Sequence, residues 1–345
     1  MNQDETLNPG TTPIPAEPIA PAPPPVLHKI FIGRDGLRAG WSLLVFVAIL
    51  AVILFAAHGI SRRIHAQAPN IEEIASNMPI KLALLNEAIP FLAVLLVTWI
   101  MSKIERRPNS VYGLGGSRKV AHFFAGLTGG VVCLSLLVLT LWKTGLLVID
   151  SRLLFGGDIF RYGAIWLVGF LLVGLLEEYL TRGYIQYTLT RGLAGLYRWA
   201  FKTHPSMTRH GEAFGFWTSA VIFSFLFGLG HGKNPGESPI GLLSAGLAAM
   251  VFCLSLWRTG SLWWAIGFHA AWDWSQSFLY GVADSGMIVQ HRFLATHPVG
   301  RAILSGGATG PEGSIYILAV FALVVLIIVL TLKRAHYGDT LERST

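Results

Sequence analysis

Long apolar runs, each near the length that crosses a bilayer and separated by basic loops, constrain this chain more than any other feature. A helix needs about 20 apolar residues to span the hydrocarbon of a membrane. Eight stretches approach that length: 41–60, 81–101, 120–142, 162–187, 214–231, 240–257, 262–280 and 314–332. Glycines interrupt the fifth and sixth. Only 13% of the 345 residues are charged and 53% are hydrophobic, whereas a soluble domain carries about 25% charged residues. Too few charges remain to cover a water-exposed surface. The expected fold is all-α, a polytopic membrane helical bundle of about eight transmembrane helices.

The formal net charge of +7 fits topology rather than nucleic acid. The basic residues fall between apolar runs, as Arg106-Arg107, Arg118-Lys119 and Lys333-Arg334, and no basic stripe with interleaved aromatics appears. With eight spans both termini share one side. That side holds about 16 basic residues against about 9 opposite, which by the positive-inside rule puts both termini in the cytoplasm. The chain is thus expected in the cell membrane.

Residues 1–28 carry Pro9, Pro13, Pro15, Pro18, Pro21 and Pro23-Pro24-Pro25 among Ala and Thr. Such a stretch favours an extended spacer and builds no core. Four segments follow: a Pro/Ala-rich cytoplasmic tail over 1–38, N-terminal spans over 39–159, a core over 160–280, and a loop, last span and basic tail over 281–345. Cys133 and Cys253 lie within apolar runs and read as small buried hydrophobes without metal or disulfide spacing. Gly126 and Gly130 form a GxxxG, a signal of close helix packing. No internal repeat supports an inverted-repeat transporter.

Ionisable residues at membrane depth are costly, at least about 2.5 kcal/mol each on insertion scales, so they need a reason. The fourth run carries Glu177, Glu178 and Arg182, the fifth ends on His231, and the seventh carries His269 and Asp273. Neighbours on a helix differ by about 100° in azimuth, so the two glutamates face differently. Glu178 and Arg182, at i and i+4, suit an ion pair. Glu177 is then free to face a cavity as a general base. His269 and Asp273 also share a face, a spacing that suits an oriented imidazole or two metal ligands. Glu87, near Asn86 and Pro90 in the second run, is expected near the membrane surface.

Glu177-Glu178-Tyr179-Leu180-Thr181-Arg182 matches EExxxR, Phe227-Gly228-Leu229-Gly230-His231 matches FxxxH, and His269-Ala270-Ala271-Trp272-Asp273 matches HxxxN/D. In this order and spacing they resemble the CAAX prenyl protease and bacteriocin-processing family (CPBP, or Abi), over roughly 160–280. Leu256-Trp257-Arg258-Thr259-Gly260-Ser261-Leu262-Trp263 is similar to that family too. The resemblance implies an intramembrane endopeptidase acting on a peptide or protein, lipidated or not. It implies a catalytic set of Glu177, Glu178, Arg182, His231, His269 and Asp273, with Glu177 and His231 activating water and His269 and position 273 supporting the oxyanion.

Two mechanisms stay open. One is metal-free. In the other, His231, His269 and Asp273 ligate Zn²⁺, which lowers the pKa of bound water. Asp273 stands where prenyl proteases carry Asn, and an ionised carboxylate cannot donate to an oxyanion. It is expected to orient His269 through Nδ1 or to bind metal. Ser244 lacks the GxSG of rhomboid-like enzymes, and no HExxH is present. The rival readings are an inactive scaffold or immunity protein with the same fold, and a transporter with Glu177, Glu178 and Arg182 along its path.

Overall fold

The computed structural model describes residues 30–33, 36–64 and 71–333. The Pro-rich stretch 1–28 lies outside them. The chain divides into two units, 1–38 and 39–345. In the first, β1 (Ile32–Gly33) pairs antiparallel with β2 (Gly36–Leu37).

The second unit is helical. Its long helices are α1 (Ala39–Ile64), α2 (Ile80–Ile104), α3 (Lys119–Lys143), α4 (Gly157–Glu178), α5 (Gln186–Ala200), α6 (Gly211–Gly230), α7 (Pro239–Thr259), α8 (Trp263–Asp273) and α9 (Ile317–Thr331). β3 (Leu147–Arg152) and β4 (Leu294–Pro298) form an antiparallel pair with an irregularity between Ile149 and Ser151. Six helical stretches among the described residues are long and apolar enough to cross a membrane, and α9 is a shorter apolar helix. This is a polytopic helical membrane protein. Large apolar side chains such as Phe55 (81% exposed), Phe160 (80%) and Leu330 (74%) face outward, a surface that lipid covers and water would not tolerate.

Two runs differ from their sequence outline. The fourth does not stop near 187: α4, a π-helical turn (Tyr179–Ile185) and α5 make one helical stretch, Gly157–Ala200. The seventh is α8 continued by a second π-helical turn, Trp274–Leu279. Nearly all of α8 is buried, so protein surrounds it rather than lipid.

What buries α8 is its fit to α3. A Cβ on Gly126 would strike the Trp264 carbonyl oxygen, one on Gly130 that of Phe268, and one on Gly267 that of Phe123. Three missing side chains let the two backbones touch, as the GxxxG signal implies. Trp264, Phe268, Trp272 and Phe321 of α9 then stack in a ladder with centroid separations of 5.0, 5.8 and 6.2 Å. That ladder fixes the azimuth of α8 and turns His269 and Asp273 toward α4.

The helix ends placing the second histidine are equally specific. Gly228 of α6 lies against the Leu242 carbonyl of α7. Ser238 caps α7 by accepting from the Gly241 amide at 3.0 Å, with Pro239 as the first helical residue. The short connection between them carries His231 at the end of α6.

Candidate active site

Glu178 is fully buried and Arg182 nearly so (side chains 0% and 2% exposed), and Arg182 Nη1 donates to Glu178 Oε1 at 2.6 Å. The guanidinium lies between the rings of Phe227 and Phe252, 5.0 and 5.3 Å from their centroids. Glu177, one step around the helix, keeps a third of its side chain exposed (33%) and lines a cavity of about 360 Å³. The azimuthal separation of the two glutamates read from sequence is the one observed.

His231 lines the same cavity. Its Nδ1 lies 2.8 Å from the Phe227 carbonyl oxygen. A carbonyl only accepts, so Nδ1 carries the hydrogen and Nε2 of the neutral ring keeps its lone pair. Phe227 thus fixes the tautomer of His231, sits 4.8 Å ring to ring from it, and covers Arg182. The sequence pattern gave no hint of this double duty.

His269 departs from its expected arrangement. Its Nδ1 lies 3.0 Å from Glu178 Oε1. Its Nε2 faces the cavity, 3.5 Å from Asp273 Oδ2 and 3.8 Å from Glu177 Oε2, and its ring stacks on Phe252. Asp273 was expected to hold Nδ1. Glu178 holds it instead, because one helical turn from His269 to Asp273 brings the carboxylate beside the outer ring nitrogen. Glu178 is therefore more than an ion-pair partner: one of its oxygens serves both Arg182 and His269.

The zinc set of His231, His269 and Asp273 does not fit this geometry. Among the described residues no three His, Cys, Asp or Glu side chains are arranged to hold one ion. His231 taken alone, with Nδ1 on the Phe227 carbonyl and Nε2 open, has the form of a ligating imidazole; it is the three-ligand cluster that is not formed.

Residues 160–275 match the family described as type II CAAX prenyl endopeptidase Rce1-like. This is the family that the three motifs resemble. All six candidate residues fall within the matched Rce1-like stretch. No curated protein and no solved structure matches the chain.

Carboxylates outside the Rce1-like stretch complete the cavity. Glu87 of α2 lines it, because α2 packs against α4 and turns that face inward. An ionisable residue inside a 25-residue apolar helix was the signal that pointed there. Asp284 and Glu312, on the loops over the cavity, also line it. Ser277 donates to Asp284 at 2.9 Å, while Trp272 Nε1 donates to Glu312 at 3.1 Å. Burial pushes the Asp284 carboxyl well above the usual carboxylate range, and the charges of Asp273 and Glu312 push the same way. Neither loop residue belongs to a periodic pattern that sequence reasoning could use.

Proposed function

We propose that this protein is an intramembrane endopeptidase. The observation that carries the reading is the convergence of Glu177, His231 and His269, from three helices, on one cavity within the stretch that matches the Rce1-like family. A water between Glu177 and His231 loses a proton to the Glu177 carboxylate, while the lone pair of His231 Nε2 holds its other hydrogen. The oxygen adds to the peptide carbonyl carbon. The resulting oxyanion accepts from Nε2–H of His269, with Nδ1–H donated to Glu178 at the same time. Collapse breaks the C–N bond, and the proton on Glu177 passes to the leaving nitrogen. Asp273, an acceptor when ionised, directs the His269 Nε2–H before substrate arrives and does not itself donate.

The test is cleavage of peptides by the detergent-purified protein, followed by mass spectrometry. Glu177→Gln and His231→Ala are expected to abolish cleavage at unchanged folding. Persistence of cleavage in Glu177→Gln overturns the assignment. A folded wild-type protein that cuts no peptide returns the non-catalytic scaffold.

A further inference from the structure

One carboxylate in the cavity has no part in the mechanism proposed above. Glu87 lies in the apolar helix α2, outside the matched Rce1-like stretch, and lines the cavity with Glu177 and His269. An ionisable side chain at membrane depth calls for a partner or a function. The neighbouring acids have partners: Ser277 donates to Asp284, Trp272 to Glu312, and Arg182 and His269 hold Glu178. Glu87 makes no hydrogen bond or ion pair with another described residue, and the charges that act on it from nearby are those of Glu177 and His269. Close packing sets its depth. A Cβ on Gly169 of α4 would meet Leu84, three residues before Glu87, at 3.5 Å, and one on Gly174 would meet the His269 Cβ at 3.6 Å. A second cavity, about 440 Å³, is lined by Thr181, Phe223 and Leu226, where Leu226 is an exposed apolar residue of α6. Glu177 and His231 line both cavities; of the two, Glu87 lines only the first.

We propose that Glu87 is a further catalytic residue, one that accepts the hydrogen of the scissile peptide N–H and so turns the leaving nitrogen toward Glu177. The inference rests on the endopeptidase reading and assigns a residue that the three motifs do not contain. A chain passing through both cavities has its scissile bond at their junction, beside Glu177 and His231, and its leaving-group side toward Glu87. Addition of the water oxygen to the carbonyl carbon makes the scissile nitrogen pyramidal, with one N–H and one lone pair. The C–N bond breaks only if the proton on Glu177 can reach that lone pair. A hydrogen bond from the N–H to a Glu87 oxygen fixes the orientation of the nitrogen, so that the lone pair faces Glu177. The oxyanion then re-forms the carbonyl, the C–N electron pair leaves with nitrogen, and the Glu177 proton completes the amine. Glu87 neither gains nor loses a proton in this step. It needs only an acceptor oxygen, which a carboxyl group has in either form. The same bond spares the substrate N–H from standing unpaired in a cavity walled largely by apolar side chains.

The experiment compares a peptide with its ester analogue, in which oxygen replaces the scissile N–H, using full-length protein in detergent. Wild type, Glu87→Leu and Glu87→Gln are each measured for kcat and KM on both substrates, with thermal melting as the check on folding. Leu suits an apolar helix, and no hydrogen bond is lost with the carboxylate, so Glu87→Leu is expected to melt no lower than the wild type. Its kcat on the peptide is expected to fall about a hundredfold with KM little changed. On the ester, which has no N–H to orient, the fall is expected to be only severalfold. Glu87→Gln keeps an acceptor oxygen and is expected to stay within severalfold of the wild type on both. A structural role would lower both substrates alike, so equal losses on peptide and ester in Glu87→Leu overturn the inference. Unchanged peptide cleavage in Glu87→Leu overturns it too, as does a loss in Glu87→Gln as large as that in Glu87→Leu. A folded wild type that cuts neither substrate sinks the endopeptidase reading and the inference with it. Cleavage of both by the wild type, with equal losses in Glu87→Leu, sinks the inference alone.

Discussion

Oε1 of Glu178 accepts from both Arg182 and His269, while Oε2 has no hydrogen-bond partner among the described residues. Removing the charge strands a buried guanidinium and unhooks the imidazole together. Breaking a buried pair in this way costs about 3–5 kcal/mol. Glu178→Gln is therefore expected to lower the thermal unfolding midpoint in detergent and to lose activity. Glu177→Gln, a third exposed and held by no ion pair of that kind, is expected to lose activity alone. The reverse pattern in paired melting and cleavage assays would exchange the two roles. Asp284 gives a second test, through pH. It faces Asp273 and Glu312, which raise its pKa, and Ser277 and His269, which lower it by less than burial raises it. The native state then binds more protons than the unfolded chain between the ordinary value of 3.8 and the raised one, so stability falls as pH rises through that window. Asp284→Asn removes the loss. It is expected to melt higher than the wild type at pH 8, with the advantage gone once both states are protonated below the ordinary value. An advantage that grows toward acid pH would refute the sign.

The pairing of α3 with α8 is where element geometry decides the site. Gly130→Ala would drive a methyl into the Phe268 carbonyl and to within 2.9 Å of Ala271 Cβ and the Trp272 amide. Backbone cannot yield as a flexible side chain does, so the helices must separate, at about 1–3 kcal/mol for overpacking. The shift also moves His269, so activity should fall with stability. Gly195→Ala in α5 meets nothing within 4 Å and is expected to be neutral or to stabilise by about 0.5–1 kcal/mol. Equal effects in melting scans would mean that the close approach is unimportant. Much at this scale was legible in the sequence. Apolar length marked the helices, and i, i+4 spacing paired Glu178 with Arg182 and His269 with Asp273. Gly126 and Gly130 marked the interface. The inward face of Glu87 was not legible, because α2 is apolar all round and no stripe distinguishes its buried side. The π-helical turns and the pairing of β3 with β4, about 140 residues apart in sequence, leave no local signature. Asp284 and Glu312 reach the cavity only through loops packed by tertiary contacts.

At the scale of the whole molecule, hydrogen bonds sort the connections onto two sides. On one side the α2–α3 and α7–α8 connections join, with Leu262 N donating to Gly113 O and Ser261 Oγ to Gly115 O. The end of α9 joins them through Arg258 to the Leu332 and Val329 carbonyls. That side gathers Lys103, Arg106, Arg107, Arg118, Lys119 and Arg258. On the other side the strands β3 and β4, Met78 N to Ile288 O and Thr309 Oγ1 to Gly236 O tie together the loops that cover the cavity. Transfer of basic connections across a membrane is disfavoured, so we propose that this side faces the cytoplasm. The cavity-side loops are then expected on the opposite, non-cytoplasmic face. Cys133 and Cys253 are buried, so single exposed cysteines can report on each side. His297→Cys, in β4 with its side chain 54% exposed, is expected to react with a membrane-impermeant maleimide in intact cells. Ser206→Cys, exposed in the short helix Pro205–Arg209 between α5 and α6, is expected to react only after lysis. The opposite labelling would turn the cavity mouth toward the cytoplasm and bring a cytoplasmic lipidated terminus within its reach. The expected labelling leaves such a terminus only the route through the bilayer, past Leu226, to reach Glu177.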